Sequence, residues 1–159
     1  MPDAPGWLPS LIPLDGKWEE RVVELYATYQ EIFFTGSCRY DGKPVHVGTK
    51  KTDPPYEDSF WHLISRDDKH SGDRLPDFDR ARRLLWIPAV LNNSNDNHVL
   101  AWDFQEAGGT IRRYIWLKEF DFVLILIDKG YVWILITAFF ISSNWSRKNF
   151  EEKYTKRTV

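Results

Sequence analysis

The chain has 159 residues, of which 43% are apolar, 28% charged and 16% aromatic, including 8 tryptophans. This is globular composition at the size of one domain, and it excludes a disordered or fibrous chain. A formal charge of −2 excludes a uniformly basic surface for nucleic acid while leaving room for a local basic cleft. The single cysteine, Cys38, excludes an internal disulfide and a thiolate zinc site.

Residues 1–16 read as an irregular arm broken by prolines, with Trp7, Leu8 and Leu11 available for packing. The arm has no basic n-region, so it does not read as a secretory leader. Across 17–34, Trp18, Val22, Leu25, Tyr29, Ile32 and Phe33 recur at three- and four-residue steps. This predicts an amphipathic helix, with Asp15 as candidate N-cap and Gly36 closing it. Asp41-Gly42 then signals a hairpin between two short strands. A proline-bearing loop precedes a short helix over 56–64, which carries His62. The stretch SRDDKHSGDRLP reads as a mobile polar loop. Asp77 is placed to cap a second long helix reaching about residue 91, which Pro88 should kink or end.

Four strands follow: VLAWDFQ, IRRYIWLK, FDFVLILID and YVWILITAFFI, turned at Gly108-Gly109 and at Lys129-Gly130. The last two are nearly continuous in apolar residues and should be central in the sheet. Together, 122–141 would be long enough to span a bilayer, but Asp128 and Lys129 in the middle make a strand pair the better reading. The tail from Trp145 reads as a short helix or an extended arm. The expected architecture is α+β, with the N-terminal helices packed on one face of a four-stranded antiparallel sheet, in a single domain over 17–159. The expected setting is soluble, reducing and cytoplasmic, with no membrane segment.

No phosphate-binding glycine loop, HExxH or GxSxG occurs. His62, in FWHLIS, is either a satisfied half-buried histidine or a general acid/base at a cleft edge. Arg66, four residues on, shares its face if the helix continues. Arg80, Arg82 and Arg83 cluster on the second helix, and Arg112 and Arg113 alternate on a strand, so that one of the latter points towards the helices or a groove. Phosphate is a natural partner for such an arginine. Thr137 is a hydroxyl within an apolar strand. The tail mixes cations, among them Arg147 and Lys148, with rings, a pattern that suits single-stranded RNA as well as an exposed amphipathic helix.

The run YATYQEIFFTGSCRYDGKPV, then FWHLIS, RARRLLWIPAVLNN, RRYIWLKEFDFVLILIDKGYVWILITAFFIS and the FEEKY tail resembles the phage-associated barnase–EndoU–colicin–RelE-like (BECR) nucleases over about residues 18–155. The resemblance implies a BECR-like fold and metal-independent RNA cleavage by attack of the ribose 2′-hydroxyl on its own phosphate. It also implies a toxin of toxin–antitoxin or antiphage type, restrained by a cognate antitoxin or immunity protein, and it implies no cofactor or metal. Carried over residue by residue, His62 matches the histidine of F-x-H-L as acid/base. Arg83, Arg113 and Thr137 match the arginine before W-I-P, the basic residue before Y-I-W-L and the threonine of the T-A pair. On the ribonuclease reading Arg66, Tyr114, Arg147 and Lys148 are expected as supporting substrate contacts. Where the family carries F-x-H-L-T-G this chain has F-W-H-L-I-S, so either Ser65 supplies the hydroxyl or the loop has another shape.

Two rivals stand beside the ribonuclease. One is a catalytically silent module that binds protein, such as an antitoxin, an immunity protein or an anti-defence factor. The other is a metal nuclease built on His62, Asp67, Asp68 and His70. The discriminator is whether His62, Arg83, Arg113 and Thr137 converge on one concave surface; if they scatter, the binding module wins.

Overall fold

The periodic apolar face over 17–34 becomes helix α1 (Trp18–Phe34) in the computed structural model, which describes residues 3–158. Val22, Leu25, Tyr29, Ile32 and Phe33 form its buried face. Its N-cap is Lys17, without a side-chain bond; Asp15 instead offers its backbone carbonyl to Arg21 Nη1 at 2.7 Å. The hairpin of β1 (Arg39–Tyr40) and β2 (Lys43–His46) turns at Asp41-Gly42, where φ is 49° and 78°. Two successive left-handed residues match the twist of the flanking strands, and Gly adopts that conformation without steric cost.

Helix α2 (Asp58–Ile64) leads directly into β3 (Ser65–Asp67), which pairs antiparallel with β4 (Arg74–Pro76). The stretch expected to be a mobile loop is therefore a hairpin. Its turn is closed by the Asp68 N–H on the Asp73 carbonyl and by the Ser71 hydroxyl on the Asp68 carboxylate, at 2.8 and 2.7 Å. Asp77 caps α3 (Phe78–Ala81) by accepting from the Arg80 N–H at 3.1 Å. The expected second long helix is broken between 81 and 86, before Pro88 rather than at it. Pro88 cannot donate to residue 84 and its ring excludes that carbonyl, and the chain tightens through i to i−3 bonds such as Trp86 N–H to Arg83. Pro88 itself sits in the first turn of α4 (Trp86–Asn92), where no donor is required.

Strands β5 (Val99–Gln105), β6 (Ile111–Leu117), β7 (Phe122–Asp128) and β8 (Trp133–Phe140) form the expected antiparallel meander. The sheet is larger than four strands, because β2 adds to β8 in parallel and β1 follows, giving the order β1-β2-β8-β7-β6-β5. The sheet is thus mixed. Only Val45 and His46 pair with β8, so its second half is flanked instead by α2 and α3.

Alternation divides the sheet residues between two cores. Ile115, Leu117, Leu124, Leu126 and Leu135 face α1, α2 and α4, whose Leu25, Tyr29, Phe60 and Val90 are buried against them. Trp102, Tyr114, Trp116, Val123 and Ile125 face the opposite way. They are covered by the tail, which forms α5 (Asn144–Thr155) and inserts Phe150. Helices therefore lie on both faces, not one. An apolar face of this width cannot stay open when each buried large side chain stabilises by about 1.5–3 kcal/mol. The N-terminal arm is anchored rather than loose: Trp7 Nε1 donates to Asp96 at 2.9 Å and Trp86 Nε1 to the Pro9 carbonyl at 2.8 Å. Trp7, Leu8 and Ile12 pack on the core while Leu11 is exposed, in place of the expected Leu11 contact. No helix among the described residues is long and apolar enough to cross a membrane.

Candidate functional site

Helix α2 buries Phe60, Leu63 and Ile64 against the sheet, and this turns Trp61 and His62 outwards. His62 opens into a cavity of about 570 Å3, lined also by Trp18, Thr52, Asp53, Asp58, Trp61, Arg74 and Pro76. Its imidazole pKa is lowered from 6.5 by partial desolvation, and then by the charges of Arg74 and Arg80. Asp67 and Asp58 oppose that shift. The net effect is an imidazole that is neutral at pH 7 and free to accept a proton. Asp58 is held ionised by the Thr52 N–H and hydroxyl, at 2.9 and 2.7 Å.

The helix ends because Ser65 is extended (φ −145°, ψ 171°). Its buried hydroxyl donates to the Trp61 carbonyl at 2.5 Å and accepts from Arg74 Nε at 2.8 Å. Ser65 therefore fixes Arg74 beside α2 and is not itself open to a ligand. Arg74 Nη1 also meets Asp67 at 2.5 Å, and its Nη2 carries no hydrogen bond among the described residues. Arg80 lies behind α2, donating through Nη1 to the His62 and Ser65 carbonyls at 2.9 and 3.1 Å and meeting Asp77 through Nε. Arg66 is on β3 rather than on a continued helix, and its Nη1 donates to the Pro76 carbonyl at 3.1 Å. The chemistry assembled here is one neutral imidazole, the Arg74 guanidinium, the carboxylates of Asp53 and Asp58 and two indole rings, with Arg80 behind the helix.

The other expected residues lie elsewhere. Arg113 is on the face of the N-terminal helices, but it is closed by its neighbours. Nε and Nη2 donate to the Asp103 carboxylate at 2.5 and 3.3 Å, Nη1 donates to the Tyr40 hydroxyl at 2.8 Å, and the group lies 5.1 Å from the Trp133 ring. Arg83 donates to Asp79 and lies over the Phe140 and Trp86 rings at 4.1 and 5.1 Å. Arg83 packs at the end of β8 and Arg113 towards its start. Thr137 stands in register with Ile125, on the face that α5 covers. None of the three lines the His62 cavity, so the expected quartet does not converge.

Tyr114 is buried on the α5 face, stacked on Trp102 at 5.3 Å, and its hydroxyl bridges Glu106 and Lys153. Arg147 is paired with Asp121 and donates to the Lys118 carbonyl, fixing the start of α5. Lys148 is exposed. Tyr114 is thus buried in the second core, and Arg147 is partly exposed with its guanidinium held by Asp121.

The proposed metal set separates as well. Asp67 takes Arg74, and Asp68 takes Ser71 and the His70 N–H. No group of three or more His, Cys, Asp or Glu side chains fit to hold a metal occurs among the described residues. His98 is bound to Asp96 through Nδ1 at 2.6 Å, and His46 is exposed on β2. Burial pushes the Cys38 thiol up to about 12, which leaves it unreactive.

Sequence reasoning missed Arg74 and Asp58. The alternation of SRD and RLP about a Gly-containing turn was the available signal for the hairpin that carries Arg74. Asp58 and His62 stand four residues apart on one helix. Comparison of the chain with protein-family models, curated proteins and solved structures gave no match.

Proposed function

We propose that the protein is a metal-independent endoribonuclease centred on the His62 cavity. One observation carries this reading: a solvent-accessible imidazole, neutral at pH 7, shares its cavity with an arginine that retains an unbonded guanidinium nitrogen. His62 takes the proton of the ribose 2′-hydroxyl as that oxygen attacks the adjacent phosphorus. Arg74, backed by the charge of Arg80, stabilises the phosphorane. The bond to the 5′-oxygen breaks, and that oxygen takes a proton from water at the open mouth of the cavity. The products are a 2′,3′-cyclic phosphate and a 5′-hydroxyl. Trp18 and Trp61 offer ring faces to a base. Toxin action in the cytoplasm, with a cognate antitoxin or immunity protein as restraining partner, rests on the family resemblance and belongs to the same proposal.

The scatter of Arg83, Arg113 and Thr137 favours a second reading, a catalytically silent module that binds protein. The ribonuclease is placed first because the His62 cavity holds one cation of its own, Arg74, with an unbonded guanidinium nitrogen. Purified protein is incubated with total RNA and with tRNA in excess EDTA, with His62→Ala alongside. Discrete products ending in 2′,3′-cyclic phosphate, absent with the variant, support the ribonuclease. A folded wild type that leaves both RNAs intact gives the binding module its place.

A further inference from the structure

The last carbonyls of a helix find no donor within it. At the end of α2 they are met from the segment that follows. The Trp61 carbonyl takes the Ser65 N–H and hydroxyl, and the Ile64 carbonyl takes the Asp77 N–H at 2.9 Å. The His62 carbonyl takes Arg80 Nη1 at 2.9 Å. The same nitrogen reaches the carbonyl of Ser65, the first residue of β3, at 3.1 Å. One guanidinium nitrogen therefore spans the junction at which α2 becomes β3.

The two groups that the reaction needs meet at this junction. His62 lies just before it, and Arg74, across the β3–β4 hairpin, is bonded to it through the Ser65 hydroxyl. Arg80 is itself fixed. Its Nε meets Asp77 at 3.3 Å, its N–H donates to the same carboxylate, and its guanidinium lies 5.7 Å from the Phe139 ring centre. Arg80 lines no part of the cavity, so its route to the reaction runs through the residues it holds.

We propose that Arg80 is the positioning residue of this site: by bridging the His62 and Ser65 carbonyls it fixes the imidazole relative to the Arg74 guanidinium. This rests on the ribonuclease reading for the reaction, while the positioning is also measured without cleavage. Lysine keeps the charge but puts a single nitrogen on a flexible stem in place of the planar fork. Arg80→Lys and Arg80→Met are compared with the wild type on tRNA in EDTA, with rates corrected for the folded fraction from a denaturant melt. Proton NMR follows the His62 ring and the Arg74 Nε–H.

Arg80→Lys should lower kcat by about tenfold or more, the scale of misplacing a catalytic group, and hold KM within about twofold. The His62 titration midpoint should stay in place, because the repelling charge remains. Arg80→Met should lower kcat as much and raise that midpoint. Full activity in Arg80→Lys overturns the proposal, since charge alone would then suffice. A loss that vanishes on correction for folding overturns it too, since Arg80 would then only stabilise the fold. In Arg80→Lys the Arg74 Nε–H, bonded to Ser65, should exchange with solvent about tenfold faster or more. Unchanged exchange with an unmoved His62 ring overturns the positioning, whatever the RNA shows. Faster exchange in a protein that cuts no RNA keeps the positioning and loses the nuclease.

Discussion

Arg74 and Arg113 both lie on strands beside a carboxylate, and in isolation either is a candidate for phosphate. At Arg113 all three guanidinium nitrogens are engaged, by Asp103 and Tyr40, and the plane rests on Trp133. At Arg74 one nitrogen is fixed by the buried Ser65 hydroxyl and one meets Asp67, whose side chain is 79% exposed. The third is unbonded, and Arg74 lines the cavity with His62. An arginine whose donors are spent on its own fold stabilises that fold. An arginine held by one buried bond and one weak exposed pair is positioned and still able to bind.

The largest expected effects separate these two regions by activity. His62→Ala and Arg74→Ala should each lower cleavage by about a hundredfold or more, the scale of losing a general base or a charge-stabilising donor. Arg74→Ala should cost about 1.5–3 kcal/mol of stability through its bond to the buried Ser65 hydroxyl, with little added from its ion pair, because Asp67 is solvated. Initial rates on tRNA and denaturant melts check both statements.

Arg113→Met should do the reverse. Losing its charged hydrogen bonds should cost about 2–3 kcal/mol in a denaturant melt, while activity per folded molecule stays within twofold. A hundredfold loss of activity in a stable Arg113→Met would return that residue to the site.

The pH profile gives a smaller and sharper test. The folded His62 imidazole holds its proton less tightly than the unfolded one, near 6.5. Its contribution to stability is therefore complete above about pH 6.5 and is lost as pH falls towards the folded value. Activity that requires the neutral base should keep an acidic limb below 6.5. Arg74→Met should move that limb up, by removing a repelling cation, and Asp58→Asn should move it further down, by removing an attracting anion. Proton NMR of the His62 ring across pH 4–8 reads the shifts directly. The least effect is expected at Lys148, exposed on α5, where Lys148→Ala should leave stability within about 0.5 kcal/mol and cleavage within twofold.

Much of the fold was legible along the chain because its signals are local. The 3.6-residue period of α1 and the apolar runs of β7 and β8 are properties of neighbours in sequence, as are the left-handed turns at Asp41-Gly42 and Gly109. The break before Pro88 was foreseen in kind and misplaced by a few residues, since a missing donor perturbs the turn that precedes it. The β3–β4 hairpin was hidden because charged and turn-forming residues dominate its composition, and its pairing is fixed by Ser65, Arg74 and Asp68 together.

By itself the sequence determined the α+β class and the four-strand meander, because alternation and helical spacing settle which side chains an element can bury, and it left open whether His62 is half-buried or at a cleft edge. Only the tertiary structure decided which arginines remain available. Arg113 and Arg83 were singled out along the chain and Arg74 was not. Arg113 is closed by Asp103 and Tyr40, and Arg83, its Nε unpartnered, is half-buried against Asp79 and Phe140, groups brought to them by packing. Tertiary structure also decided that α5 covers the second face, because a helix of mostly polar composition shows what it packs against only when Trp116 and Phe150 meet.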